Sequence, residues 1–448
     1  MRDYEAGPTS MLLAFRMENV RSFRDEMEFS MEATALAEQD VPREVPWRQG
    51  GRPLQVLPVA GLFGANGSGK TNVLKAMGEL RSHVLLSFRS GDPSGGMPRH
   101  PFRLDGDAVG RPTRFEIDLV LHGIRHEYGV IFDDDRVLRE WAYRYPRGRA
   151  SLLFGREAGE PIALGSSNRA VGRAIEKITR PNSLFLSAAA AGGHPDLLPL
   201  FQWFERNLLL AEASSRQMRW AFTTDLLRHD DSRDRVLALI KAADLGISDV
   251  RIRPLDPQVV DRVRRAVKIL VGREEEAEAA PEIDLTEMGL VLSHTGANEE
   301  VDFDVQEESL GTLVWLGLIG PTVSALEHGS VLLADELEAS LHPTLVTQLI
   351  RLFQNPEANP LGAQLIFSSH DATLLGGATG ERVLGRDQIW FTEKLADGST
   401  RLYPLSDLGP RKEEAIGRRY LTGRYGATPI VSHHEFSAAV RPTPGECG

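Results

Sequence analysis

An α/β fold with a mostly parallel core, an antiparallel β portion and a helical insertion follows from three observations in this 448-residue sequence. Short apolar runs at 56–63, 331–334 and 364–368 alternate with stretches of helical apolar spacing, the pattern of buried parallel strands joined by helices. Residues 113–154 alternate with period two, which suits antiparallel strands with one face on a core. Between about 168 and 279 the periodicity is helical and separates the two strand-rich parts.

In chain order, Leu12–Val20 reads as a strand and Phe23–Met31 as a second, while the three prolines of 38–54 predict a loop. Val56–Phe63 is a strand that runs into a glycine-rich turn, and Asn72–Phe88 continues it as a helix. Phe115, Ile117, Leu119 and Leu121 form one apolar set and Tyr128, Val130 and Phe132 another, across a turn at His122-Gly123. Helices are expected at Leu197–Leu210, Arg233–Ala243 and Val259–Leu270, followed by a flexible acidic tip at 273–281. Glu287–Val305 is extended, Val314–Leu326 helical, Val331–Ala334 a buried strand, Thr344–Phe353 helical and Gln364–Ser368 a second buried strand. The expected divisions are a flexible tail (1–10), an N-terminal lobe (11–165), a helical insertion (166–285), a C-terminal lobe (286–430) and a second flexible tail (431–448).

A composition of 42% hydrophobic and 25% charged residues excludes a disordered or fibrous chain. No run of 18 apolar residues or signal-peptide pattern occurs, so no membrane association and a cytoplasmic location are expected. Cys447 is the single cysteine, which rules out an internal disulfide framework and a multi-cysteine zinc site. The net charge of -12 argues against bulk coating by nucleic acid. Two Arg-rich stretches, Arg136 to Arg149 and Arg411 to Arg424, read as solvated surface that can also serve as a local patch for DNA.

Gly64-Ala65-Asn66-Gly67-Ser68-Gly69-Lys70-Thr71 carries four fixed identities of a phosphate loop, placed between a strand and a helix. Glycines let backbone N–H groups converge on an anion, and the helix N-terminus behind them adds a favourable dipole. Lys70 is expected to reach the β- and γ-phosphates of ATP, and the Thr71 hydroxyl to ligate Mg²⁺. Val331–Ala334 ends in two carboxylates, of which Asp335 is the expected Mg²⁺ partner and Glu336 the base that polarises the attacking water. His370, after the strand ending in Ser368-Ser369, is the expected sensor of the γ-phosphate.

In this order the residues resemble the ATP-binding-cassette (ABC) class of ATPases, in the soluble branch with SMC, RecF and OLD proteins. Gly64–Thr71 corresponds to Walker A, Val331–Glu336 to Walker B, Ser340-Leu341-His342-Pro343 to the D-loop and His370 to the switch histidine. Glu308-Ser309-Leu310-Gly311-Thr312 stands at the place of the signature motif, with Leu310 in place of a usual glycine. No glutamine occurs between Gln55 and Gln202, where that class has one. The resemblance implies an ABC-type ATPase head that hydrolyses ATP to ADP and phosphate as a homodimer, or a higher even-numbered oligomer. Ser309 and Gly311 of one subunit would then contact the ATP of the other.

Phe15–Phe29, Arg180–Ser187, Ala243–Ile247, Arg386–Phe391 and Tyr420–Ala427 are similar to the bacterial abortive-infection-type (AAA15) ATPases, over nearly the whole chain. This likeness implies the sensor or regulator subunit of an anti-phage system, controlling a separately encoded effector nuclease or toxin. The alternatives are an SMC- or RecF-like DNA-binding repair ATPase and a nuclease in its own right. For the last, the sequence offers scattered acids after His370, namely Asp387, Glu393, Asp397 and Asp407, and the pair His433-His434.

Overall fold

A computed structural model describes residues 10–38, 40–211, 216–253, 290–376 and 382–429, with Ser432, Glu435 and Ser437. Strand β1 (Met11–Glu18) is almost wholly buried and pairs antiparallel with β2 (Met27–Ser30). The second strand is shorter than its alternation suggests. Asn19 and Arg21 adopt left-handed φ values of 48° and 54°, so Phe23 makes only an isolated bridge to Val20. Within the proline-containing loop, β3 (Arg43–Val45) and β4 (Leu54–Val56) form a small hairpin, because Val45 and Val56 are both fully buried and bring their neighbours into register. Next come β5 (Val59–Phe63), α1 (Lys70–Leu86) and the short α2 (Gly106–Gly110).

The period-two region folds as the meander β6 (Thr113–Leu121), β7 (Ile124–Phe132), β8 (Val137–Arg144), β9 (Ser151–Glu157) and β10 (Ala163–Leu164). His122 and Gly123, at φ 51° and 73°, make the two-residue β6–β7 turn, whose twist matches that of the strands. Among the described residues this meander joins β1 and β2 in a seven-stranded antiparallel sheet of order β10-β9-β8-β7-β6-β1-β2.

The stretch expected to be a helical insertion contains α3 (Arg169–Glu176), α4 (Phe185–Ala191), α5 (Leu198–Arg206), α6 (Arg216–Leu226) and α7 (Asp230–Ala242). It also contains two strands, β11 (Leu208–Ala211) and β12 (Ile247–Ile252). The helix expected to reach Leu210 stops at Arg206, and Leu208–Ala211 lies parallel to the later strand at Val331–Ala334. A run of three leucines satisfies either period, and the sheet edge decides it. Val259–Leu270, the acidic tip at 273–281, His433, His434 and most of both tails lie outside the described residues.

The remaining elements are β13 (Leu290–Thr295), β14 (Glu300–Asp304), α8 (Leu310–His328), β15 (Val331–Ala334), α9 (Pro343–Gln354), β16 (Gln364–Ser369), β17 (Ile389–Lys394), β18 (Thr400–Pro404) and α10 (Ile416–Leu421). Strands β12, β13 and β14 form a three-stranded antiparallel sheet among the described residues. The phosphate-loop sheet has the order β11-β15-β16-β5-β17-β18 and is parallel except for β18. Helix α8 is long and apolar enough to cross a membrane, but it lies mostly buried in the core, which accounts for its composition. Gly329, at φ 65°, ends it.

Glu140 ties the antiparallel sheet to the helices. Its fully buried carboxylate accepts from Tyr128 Oη (3.1 Å), Phe185 N (2.7 Å) and Leu186 N (3.0 Å), with Arg156 Nη1 at 3.6 Å. It therefore caps α4 and neutralises a guanidinium that is itself nearly buried. Glu140→Ala leaves two N–H groups and the Tyr128 hydroxyl without their acceptor and the Arg156 guanidinium without its counter-charge, and is expected to cost about 3–5 kcal/mol. A thermal melt checks this, because Glu140→Ala should melt well below Glu140→Gln, which keeps an acceptor.

Candidate functional site

The phosphate loop leaves the sheet at the carboxyl end of β5, whose five residues are all buried. Gly69, at φ 110°, caps α1, and a Cβ there would lie 2.5 Å from Thr400 Oγ1, so no side chain fits. Gly67, at φ 73°, gives the loop its second left-handed turn. Helix α1 carries no acidic residue in its first turn, so its positive end is left for an anion.

Lys70, only 5% exposed, donates from Nζ to Gly64 O (2.8 Å) and Ala65 O (3.2 Å) and lies 3.1 Å from His370 Nδ1. Burial pushes its pKa down to about 8, against the pull of Glu338, Asp335 and Glu336. Phosphate favours the charged ammonium, so above pH 8 nucleotide binding must take up a proton. Affinity for ATP is therefore expected to weaken as pH rises through about 8, a trend that calorimetry in buffers of different ionisation enthalpy detects as proton uptake. A flat affinity across that range would rule out Lys70 as the titrating group.

Next to the loop, Asp335 Oδ1 accepts from Thr71 Oγ1 (2.9 Å) and from Ser368 Oγ (2.6 Å). The pairing of β15 with β16, which places Ala334 beside Phe367, brings the carboxylate and Ser368 together. Ser368 Oγ in turn accepts from Glu336 N at 2.8 Å. Glu336 holds a left-handed φ of 50°, a conformation that costs a non-glycine residue about 1–3 kcal/mol. Its half-exposed carboxylate lies 3.8 Å from His370 Nε2. The His370 backbone N–H donates to the Glu338 carboxylate. An open cavity of about 260 Å³ is lined by Asn66, Gly67, Gly69, Lys70, Thr71, Asn72, Glu336 and His370.

Other expected site residues lie elsewhere. Ser68 is buried and bonds Thr392 Oγ1 (2.6 Å), while its carbonyl accepts from Thr400 Oγ1 (2.8 Å), so it fixes the loop from behind. Ala65 contributes its carbonyl to Lys70. Ser309 stands exposed at the start of α8, with Oγ accepting from Thr312 N at 3.1 Å. Gly311 packs on the backbone at Ser340, where a Cβ would lie 2.8 Å from Ser340 O. Ser340, at φ 63°, and His342, which caps α9 by accepting from Thr344 N at 3.2 Å, are both exposed. None of these last four lines the cavity of its own chain.

Sequence reasoning missed Ser368 as the partner of Asp335, and the supports of the loop at Thr392, Thr400 and Tyr420. Tyr420 lies beside the Gly64 backbone and stacks on Phe391, with ring centroids 5.5 Å apart. Only the fold brings Thr392, Thr400 and Tyr420 to the loop, more than 300 positions away. A hydroxyl two residues before His370 was the one local signal.

The donor set fits the magnesium salt of a nucleoside triphosphate. A glycine cradle and a buried lysine suit phosphate, and the Thr71 hydroxyl with the Asp335 carboxylate supplies the hard oxygens that Mg²⁺ prefers. No curated protein matches this chain. Among solved structures it is similar to an SMC head bound to the C-winged helix domain of ScpA, at 12% identity over 88% of this chain and 96% of that one, with a TM-score of 0.40. The SMC head domain from Thermotoga maritima gives 12% identity, 88% and 98% coverage and a TM-score of 0.37. An Smc head domain with an extended coiled coil, bound to the C-terminal domain of ScpA derived from Pyrococcus furiosus, gives 12%, 89% and 98%, and 0.36. Residues 59–376 match the family described as "AAA domain, putative AbiEii toxin, Type IV TA system". That match spans more than half of the chain and encloses the phosphate loop, the Asp335-Glu336 strand end and His370, so the protein belongs to this family of AAA-domain P-loop ATPases.

Proposed function

We propose that this protein binds and hydrolyses Mg-ATP as one half of a head-to-tail dimer, and that nucleotide-dependent closure regulates a separately encoded effector. One observation carries the dimer reading. Lys70, Thr71, Glu336 and His370 line one open cavity, with Asp335 hydrogen-bonded to Thr71 behind it, while Ser309 and Gly311 stand outside it, Ser309 in solvent. A second subunit offering Ser309 and Gly311 would cover the cavity and exclude water from it.

ATP with Mg²⁺ supplies the electrophilic phosphorus and the charge neutralisation that the metal brings to it. The glycine N–H groups and the end of α1 hold the phosphates, and Lys70 exchanges its carbonyl partners for phosphate oxygens. Thr71 and Asp335 would hold the metal, with Ser368 fixing the Asp335 carboxylate. The Glu336 carboxylate, beside His370 and open to solvent, takes the proton of the attacking water.

The family description names a putative toxin of a type IV toxin–antitoxin system, and within such a system we read this chain as the ATPase that regulates a toxic partner, such as a nuclease in anti-phage defence. A cytoplasmic protein without membrane association fits that role. A second reading, a DNA-binding repair ATPase, draws on Arg411, Lys412, Arg418 and Arg424, which are exposed on and around α10, whereas Arg139 and Arg144 of the other basic stretch are paired with Glu157 and Asp196. Turnover that rises several-fold with duplex DNA and falls steeply with salt would favour that reading. The nuclease reading gains no support, since among the described residues no group of three or more His, Cys, Asp or Glu side chains is arranged to hold a metal ion.

Ser309→Arg tests the dimer. Nucleotide binding by the single subunit should be unchanged and turnover lost, because a bulky cation replaces the hydroxyl offered to the neighbouring phosphates. Wild-type turnover in this variant would remove Ser309 from the site.

A further inference from the structure

The sheet of β12, β13 and β14 contributes nothing to the phosphate cavity, yet one of its side chains grips the residue next to Ser309. His294 of β13 places Nε2 2.6 Å from Glu308 Oε1, and Glu308 immediately precedes Ser309. The Glu308 side chain is 8% exposed, so its carboxylate is shielded and His294 is its close polar partner. The imidazole is itself held in place, packing edge-on against Phe303 of β14 with centroids 5.1 Å apart. The connection between sheet and helix is short and stiff. A 3₁₀ turn at Val305–Glu307, closed by a capping box between Asp304 and Glu307, joins β14 to Glu308.

Glu308 to Gly311 is thus pinned from two sides. His294 holds Glu308, and Gly311 rests on the Ser340 carbonyl, with space for no more than its hydrogen. Without the imidazole, a shielded carboxylate would lack its partner and would turn toward water, carrying the Ser309 backbone with it.

We propose that His294 is a positioning residue for ATP turnover, holding Glu308 so that Ser309 and Gly311 are presented in the geometry the neighbouring subunit's nucleotide requires. This rests on the composite-site reading above, and it predicts an effect on the partner's active site rather than on the chain's own.

Subunit mixing tests it with the full-length protein. His294→Ala is expected to lower kcat about tenfold, the worth of one charge-assisted hydrogen bond, while the ATP affinity of the isolated subunit stays within about twofold of wild type. Mixed with Lys70→Ala subunits, His294→Ala should regain turnover, because its intact phosphate loop then faces the undisturbed Glu308–Gly311 segment of its partner. His294→Gln, which retains a donor nitrogen, should stay close to wild type, and a Gln variant as slow as the Ala variant contradicts the hydrogen bond. The control is Ser309→Arg mixed with Lys70→Ala. If the control recovers and His294→Ala does not, His294 acts within its own subunit and the proposal is wrong. If neither mixture recovers, the composite site fails and the proposal with it. Should His294→Ala fail to fold, Glu308→Gln weakens the same contact without opening a cavity and carries the same mixing test.

Discussion

Glu336→Gln is expected to bind ATP as tightly as the parent protein and to hydrolyse it at least 100-fold more slowly, the range in which removal of a positioned base falls. The exchange conserves size and leaves the fold alone. The side chain is half exposed, and its near neighbour is His370 Nε2 at 3.8 Å. What it removes is the carboxylate charge that, in the proposed mechanism, accepts the water proton. Losing that charge next to a polyphosphate also relieves repulsion, so affinity should hold or improve. Steady-state phosphate release and equilibrium binding of ATP measure the two effects separately. Turnover within threefold of wild type would transfer the base role to another group, and His370 would be the next to examine.

Lys70→Ala is expected to weaken ATP binding about 100-fold or more, because in the proposed complex the ammonium would exchange its carbonyl partners for charge-assisted contacts to phosphate, each worth roughly 1.5–3 kcal/mol. The variant should fold normally. Lys70 is buried at a cost that shows in its depressed pKa, and its present partners, the Gly64 and Ala65 carbonyls, belong to a loop also held by Thr392, Thr400 and Tyr420. An unchanged thermal midpoint with lost binding separates a phosphate contact from a structural one. Loss of both together would make Lys70 a part of the fold.

The strand and helix around the phosphate loop were legible because local rules coincide there. An apolar run, three glycines and a helical spacing follow one another without a gap, and only glycine tolerates the φ of 110° at Gly69 beside Thr400. The Asp335-Glu336 strand end and the strand before His370 were legible for the same reason, since short fully apolar runs suit buried parallel strands. Leu208–Ala211 was not, because a leucine run carries no period of its own and the pairing with β15 overrides the helical spacing of its neighbours. Nor was the hairpin of β3 and β4, whose three-residue strands are too short to show alternation. Within the site, the motif residues could be named from spacing, but Ser368, Thr392, Thr400 and Tyr420 act through contacts across the fold, and no local pattern announces those.

The sedimentation mass of Glu336→Gln with and without Mg-ATP tests the nucleotide-gated dimer most directly. The account predicts that ATP doubles the mass and that adding Ser309→Arg to the same chain abolishes the doubling while ATP stays bound. A mass that is the same with and without bound ATP would contradict it.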